Sequence, residues 1–243
     1  MNMPAAKLNP KTNAQPVIEL NADLRMPAYA KSEDLCWTLS PQQGVERKLL
    51  ERVGGERVSR ATSIVRYAPG SEFSPHTHDG GEEFLVLSGT FSDETGDFSK
   101  GWYVRNPPGS SHAPFSKEGC EIFVKLGQIS RFDRKSVRMD TSCANADWQR
   151  SECGTKTLIL HDNPHEHAAL VRWPAGLKTE PMRFTGGVEM FLLEGRFVDE
   201  FGDHKKGSWL RIPAGHGHKP RAIEDCLLYI KTGHLRTDLS TKG

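Results

Sequence analysis

The sequence predicts an all-β protein, made of two tandem barrels of short antiparallel strands. Two observations lead there. Glycine (23 residues) and proline (15) fall as punctuation between short apolar runs. "TSIVRYAPG", "EEFLVLSGTFSDETG", "GWYVRNPPG" and "CEIFVKLG" each hold strand-favouring residues followed by a turn signal, and no long stretch shows a helical apolar period. The second observation is that the chain is written twice. Shifted by 106 residues, segment 62–127 lies on 168–233 without a gap, and 25 of the 66 positions are identical.

Taken in chain order, residues 1–16 are polar and read as an arm outside the folded units. The first unit is placed at 17–129 and the second at 130–243. Upstream of the gap-free match, "LRMPAYAKSEDLCW" still resembles "SVRMDTSCANADW". Within it Gly70 meets Gly176, Gly89 meets Gly195, "SDETGDFSKG" meets "VDEFGDHKKG", His112 meets His218 and Cys120 meets Cys226. Two copies are too few for a solenoid, which needs about three. Each unit is long enough to close its own core. The expected arrangement is two barrels packed face to face or joined through swapped edge strands.

Composition excludes several classes. With 32 basic and 31 acidic residues the formal charge is +1, which gives no field to recruit nucleic acid. "MNMPAAKLNPKTNAQ" lacks the apolar core of a signal peptide, and no run approaches the roughly 18 apolar residues of a membrane span. Five cysteines without a C-x-x-C argue against a disulfide framework. A soluble, cytoplasmic protein is expected.

The chemistry concentrates in the first unit. His76 and His78 are two apart in an extended segment, so they project to one face. A turn at Asp79-Gly80-Gly81 brings in Glu82, and Pro107-Pro108-Gly109 returns the chain to present His112. Three imidazoles and a carboxylate on rigid strands suit one divalent transition metal (zinc, iron, manganese or nickel) and leave room for exogenous ligands.

These residues satisfy two motifs in full. "G-x5-H-x-H-x3-E-x6-G" is met by Gly70, His76, His78, Glu82 and Gly89, and "G-x5-P-x-G-x2-H" by Gly101, Pro107, Gly109 and His112. They are the cupin motifs, and the wider phrasing resembles the ChrR-like cupin family, named after an anti-sigma factor whose C-terminal part is a cupin. The resemblance implies jelly-roll barrels, with one metal held by His76, His78, Glu82 and His112. Of the adjacent glutamates, motif spacing selects Glu82. The second copy agrees: it replaces His76, His78 and Glu82 by Met182, Phe184 and Val188 but keeps Glu189 opposite Glu83. Glu83 and Arg105, with their repeats Glu189 and Arg211, read as structural ion pairs. The competing reading makes Arg105 a binder of a substrate carboxylate.

The second unit retains only His218 of the ligand set, and is expected to be a packed, metal-free barrel. The alternative is an apolar ligand pocket with His218 as its polar handle. "HDNPHEH" (His161, His165, His167) reads as a solvated hairpin loop around Asn163-Pro164, and Cys120 and Cys226 read as buried thiols.

Two classes of function follow. One is an enzyme in which four protein donors on an octahedral metal leave two positions for O₂ and a small oxygenated substrate; the resemblance to small cupins of this group implies oxidative C–C cleavage of a diketone or hydroxyketone as its concrete form. The other is a regulatory sensor, as the ChrR resemblance implies. The sigma-binding domain of that family carries H-x3-C-x2-C. Here the first histidine is His76 and only Cys36 precedes it, which argues against a sigma-factor partner. A small-molecule ligand and a homodimer are the partners expected.

Overall fold

The computed structural model describes residues 18–55 and 58–235. The arm expected over residues 1–16 lies outside them. Among the described residues, regular structure is strand throughout apart from a single 3-10 turn at Ser32–Asp34. Among these residues no helix is long and apolar enough to cross a membrane.

The repeat becomes two sheets of the same order. The first runs Ile18–Leu20, Val45–Gly54, Val58–Tyr67, Cys120–Leu126, Glu82–Asp93, Trp102–Asn106, Val137–Asp140. The second runs Gln149–Arg150, Lys156–Asp162, His167–Trp173, Cys226–Thr232, Val188–Glu194, Ser208–Ile212, Ala28–Lys31. The last strand of each sheet is borrowed. Ala28–Lys31 pairs antiparallel with Ser208–Ile212, and Val137–Asp140 with Trp102–Asn106. Each repeat therefore closes an edge of the other's sheet, which removes an exposed ladder. Short two-stranded ladders such as His76–His78 with Ser110–His112 cover the far side of each barrel.

Strand alternation explains why both faces of these sheets are apolar. Phe84 and Val86 point into the first barrel with Val65, Ile122 and Val124. Leu85, Ile64 and Phe123 point the other way, into a cluster that also holds Phe191, Trp209 and Tyr229 of the second repeat. Met190, Leu192 and Leu228 fill the second barrel. Three cores result, and the middle one joins the barrels. Phe123 stacks on Phe191 at 4.5 Å between centroids and also meets Tyr229, its own repeat partner, at 5.3 Å.

One glycine of the repeat has a direct structural cause. Gly89 and Gly195 both have positive φ, and a Cβ there would lie 2.0 Å from the Gly119 oxygen or 2.1 Å from the Asp225 oxygen. Neither position tolerates a side chain. Cys120 and Cys226, which begin the adjoining strands, are buried thiols as expected.

Candidate metal centre

The His76–His78 strand pairs with Ser110–His112 so that His112 stands directly opposite His76. Residues two apart on one strand and a cross-strand partner share a face, so the three imidazoles converge. Their ligand nitrogens all lie within 4.8 Å of one another. His78 Nε2 is 3.0 Å from His112 Nε2, and Glu82 Oε2 is 3.5 Å from each of them. Donors about 2.1 Å from a common ion are separated by about 3.0 Å at right angles and about 3.4 Å at tetrahedral angles. The donor set has the size and chemistry to hold one transition metal.

Neighbouring groups aim these donors. His76 Nδ1 donates to the Ser74 carbonyl oxygen at 2.8 Å, and His112 Nδ1 lies 3.2 Å from Asp93 Oδ2, so both rings turn Nε2 inward. Asp93 is held in turn by the Thr95 amide and hydroxyl. Asn106 Nδ2 donates to Glu82 Oε2 at 3.0 Å, while Arg138 donates to Asn106 Oδ1 at 2.7 Å.

Titration follows the same contacts. Burial pushes the Glu82 carboxyl up, but His78, His112 and the Asn106 bond outweigh it and leave Glu82 below the usual carboxylate range. Burial carries His78 below the usual imidazole range, against the pull of Glu82. Burial acts on His112 in the same sense, yet the Asp93 bond and Glu82 raise it.

His76, His78 and Glu82 sit on the wall of a cavity of about 620 Å³, with Tyr67, Phe73 and Val124 among its apolar lining. Asp93 and Asn106 were not singled out in the sequence, though signals existed. Asp93 falls inside the repeated "SDETGD" and persists as Asp199. Asn106 becomes Ile212 in the copy that loses the ligands.

Glu83 faces away from this centre, as alternation requires. It accepts from Arg105 at 3.0 Å and Tyr103 at 2.8 Å, and it crosses to the second repeat through Lys231 and Tyr229. Its repeat partner differs from expectation. Glu189 does not take Arg211; it accepts from Lys125 at 2.6 Å, Trp209 at 2.7 Å and His234 at 3.1 Å. Arg211 instead meets Glu51 and the carbonyl oxygens of Asn21 and Asp23. The barrel interface supplies Lys125 to Glu189 and Glu51 to Arg211 from the opposite repeat, which an in-register pairing could not anticipate. Arg105 is fully buried among Glu83, Asp133 and Glu166, so the reading of it as a substrate binder does not hold.

The "HDNPHEH" reading also needs correction. The hairpin is there, and His165 and His167 are exposed, but His161 is only 2 % exposed and Glu166 only 4 %. With Asp133 they form a second cluster of metal-capable side chains. Arg105 Nη2 lies 2.8 Å from Asp133 and contacts Glu166, while Lys231 lies 3.1 Å from Glu166. Two cations already occupy the place a metal would take, so this is a buried ion network joining the barrels.

In the second barrel Met182 stands across from His218, and Val188 is buried in the barrel core. Phe184 is only half-buried against that core. His218 and His204 both bond Asp199, at 2.9 and 2.7 Å. A hydrogen-bonded triad thus stands where the first barrel assembles its donors.

Two cupin barrels, one with a full donor set and one without, make this a bicupin. The chain belongs to the ChrR cupin-like family, whose domain model matches residues 25–130 and again 136–236. No curated protein matches it in sequence. Similar solved structures include a candidate dioxygenase from Nostoc punctiforme, 14% identical over 90% of this chain and 85% of that one, with a TM-score of 0.71. Protein Ylba of E. coli is 17% identical over 90% and 94%, with a TM-score of 0.65. A Bacillus subtilis oxalate decarboxylase is 14% identical over 93% and 80%, with a TM-score of 0.59. At these identities the likeness is one of fold.

Proposed function

We propose that this bicupin is a metal-dependent, dioxygenase-type enzyme acting on a small oxygenated substrate. His76, His78, Glu82 and His112 would hold one divalent metal per chain. The observation that carries the reading is the meeting of three imidazoles and a carboxylate at ion-binding separations, with His76, His78 and Glu82 on the wall of a cavity of about 620 Å³. A metal bound there supplies Lewis acidity and, where it is redox-active, oxygen chemistry. The chain's own part is to fix the donors through Asp93, Asn106 and Ser74, and to enclose the substrate among apolar side chains that exclude water. The fold neighbours add modest support, since they include a candidate dioxygenase and an oxalate decarboxylase with Mn(II) centres.

Family membership favours a second reading, a regulatory cupin whose metal controls a partner. Two measurements separate them. Elemental analysis of the purified protein should give one transition metal per chain, lost in His76→Ala, His78→Ala or His112→Ala and kept in His218→Ala. The iron-loaded protein should consume O₂ with a small β-diketone or aryl hydroxyketone, and His112→Ala should abolish the uptake. Two metals per chain would refute the ligand assignment. No uptake across the panel, with a regulator recovered from host lysate only in the presence of metal, would reverse the choice of class.

A further inference from the structure

The cavity beside the donor set is lined by three hydroxyl side chains, Ser40, Tyr67 and Thr77. Ser40 accepts from the Gln42 amide, and Thr77 bonds Ser111 at 2.8 Å. Tyr67 is only 6 % exposed, yet no described residue bonds its hydroxyl, and that oxygen is not sealed in but opens on the cavity. The other two buried tyrosines differ. Tyr103 and Tyr229 both donate to Glu83, at 2.8 and 3.3 Å. A buried hydroxyl without a partner lowers stability, so its retention needs another reason.

Packing is not that reason, as the second repeat shows. Tyr67 stands opposite Cys120, and its repeat equivalent Trp173 stands opposite Cys226. The Tyr67 ring meets Phe91 edge-on, with centroids 5.6 Å apart and planes at 86°. Trp173 meets Phe197, the equivalent of Phe91, in the same way, at 5.4 Å and 78°. The second barrel keeps the aromatic contact and discards the phenol, in the same copy that loses His76, His78 and Glu82. By contrast Glu83, Arg105 and Lys125, which join the barrels, persist as Glu189, Arg211 and Lys231. A ring is enough for the core; the hydroxyl goes with the donor set.

We infer that Tyr67 is a substrate-binding residue, whose hydroxyl donates a hydrogen bond to an oxygen of the molecule held beside the donor set. The inference rests on the enzyme reading above and deepens it, because the substrate must then offer an acceptor oxygen to Tyr67 as well as an oxygen function to the donor set. Phe73, Ile122 and Val124 supply the apolar wall for its carbon skeleton. Burial, and after it the Glu82 carboxylate, hold the phenol well above its usual range, so it keeps its proton and acts as a neutral donor. A donor on an otherwise apolar wall fixes the orientation of a small ligand.

The test compares wild type with Tyr67→Phe, which keeps the ring against Phe91 and removes one oxygen. The manganese-loaded full chain is titrated calorimetrically with 2,4-pentanedione and with 2-hydroxyacetophenone, a β-diketone and an aryl hydroxyketone. Thermal unfolding is followed without either compound. Metal content should be the same in both proteins. The Tm of Tyr67→Phe should equal or exceed that of wild type, since the hydroxyl has no protein partner to lose. Whichever compound binds wild type should bind the variant about fivefold to tenfold more weakly, the usual worth of one hydrogen bond. Equal affinity in the two proteins, or a lowered Tm in the variant, would overturn the inference, the hydroxyl being idle in the first case and structural in the second. Binding of neither compound by a wild-type chain that retains manganese would instead overturn the enzyme reading, and the inference with it.

Discussion

Replacing Glu83 by alanine should leave metal binding intact and destabilise the protein severely, whereas Glu82→Ala should do the reverse. The two side chains are neighbours on one strand and point to opposite faces. Glu83 is 1 % exposed and accepts from Tyr103, Arg105, Tyr229 and Lys231. Its removal strips a counter-charge from two buried cations, an event that typically costs about 3–5 kcal/mol. Glu166 still faces both Arg105 and Lys231, so the lower part of that range is expected. For a chain of this length the loss corresponds to a drop of about 6–20 °C in Tm. A pH signature accompanies it. Burial would raise the Glu83 carboxyl, but Lys231 and Arg105 override it and bring it from 4.5 down to about 2. A depressed carboxyl stabilises above its unfolded value, so its contribution is full above about pH 4.5 and fades as pH falls toward about 2. Thermal unfolding across pH 2–7, beside elemental analysis, reads both effects. Metal loss in Glu83→Ala, or a Tm unchanged at pH 7, would refute the assignment of the two glutamates.

Two further outcomes follow from the same geometry. Asp93→Asn should weaken metal retention by about ten- to a hundredfold with little change in fold, since Asp93 orients His112 rather than filling the core; chelator competition measures it, and wild-type retention would refute the role. Phe184→Ala should cost clearly less than the 3–5 kcal/mol of a fully buried phenylalanine, because its side chain is only half-buried; denaturant unfolding checks this, and a full core penalty would show that the second barrel closes more tightly around it.

The donor set was legible in the sequence because each of its geometric conditions is local. The i, i+2 histidines, the turn to Glu82 and the Pro-Gly return to His112 act over a few residues. The repeat also separated Glu82 from Glu83 by what each copy keeps. What escaped is set across the barrel interface. Glu189 takes Lys125 and Arg211 takes Glu51, because the facing repeat offers partners that no register within one repeat can name. His161 read as a loop residue because its neighbours His165 and Pro164 are solvent-facing turn residues, while the burial of His161 comes from Arg105 and Asp133 far away in sequence. The strand exchange was anticipated only as one of two packings, since edge pairing depends on where a chain crosses and not on what it contains.

That exchange gives the degenerate barrel a reason to persist beyond covering an apolar face. The strand that closes the first sheet, Val137–Asp140, brings Arg138 beside Trp102–Asn106. Arg138 donates to Asn106 Oδ1 at 2.7 Å and to the Arg105 carbonyl oxygen at 3.1 Å. An amide whose oxygen is taken by a guanidinium must turn its NH₂ the other way, and here the NH₂ meets Glu82 Oε2. A residue lying beyond the first repeat's strands therefore sets the direction of a hydrogen bond to the carboxylate of the candidate metal centre. Lys231 and Glu166 act in parallel on the other face of the same strand, through Glu83 and Arg105. Both faces of the strand that begins with Glu82 and Glu83 are thus fixed by the second repeat. A barrel without the full donor set can be lost only if something else supplies Arg138, Glu166 and Lys231 in those places.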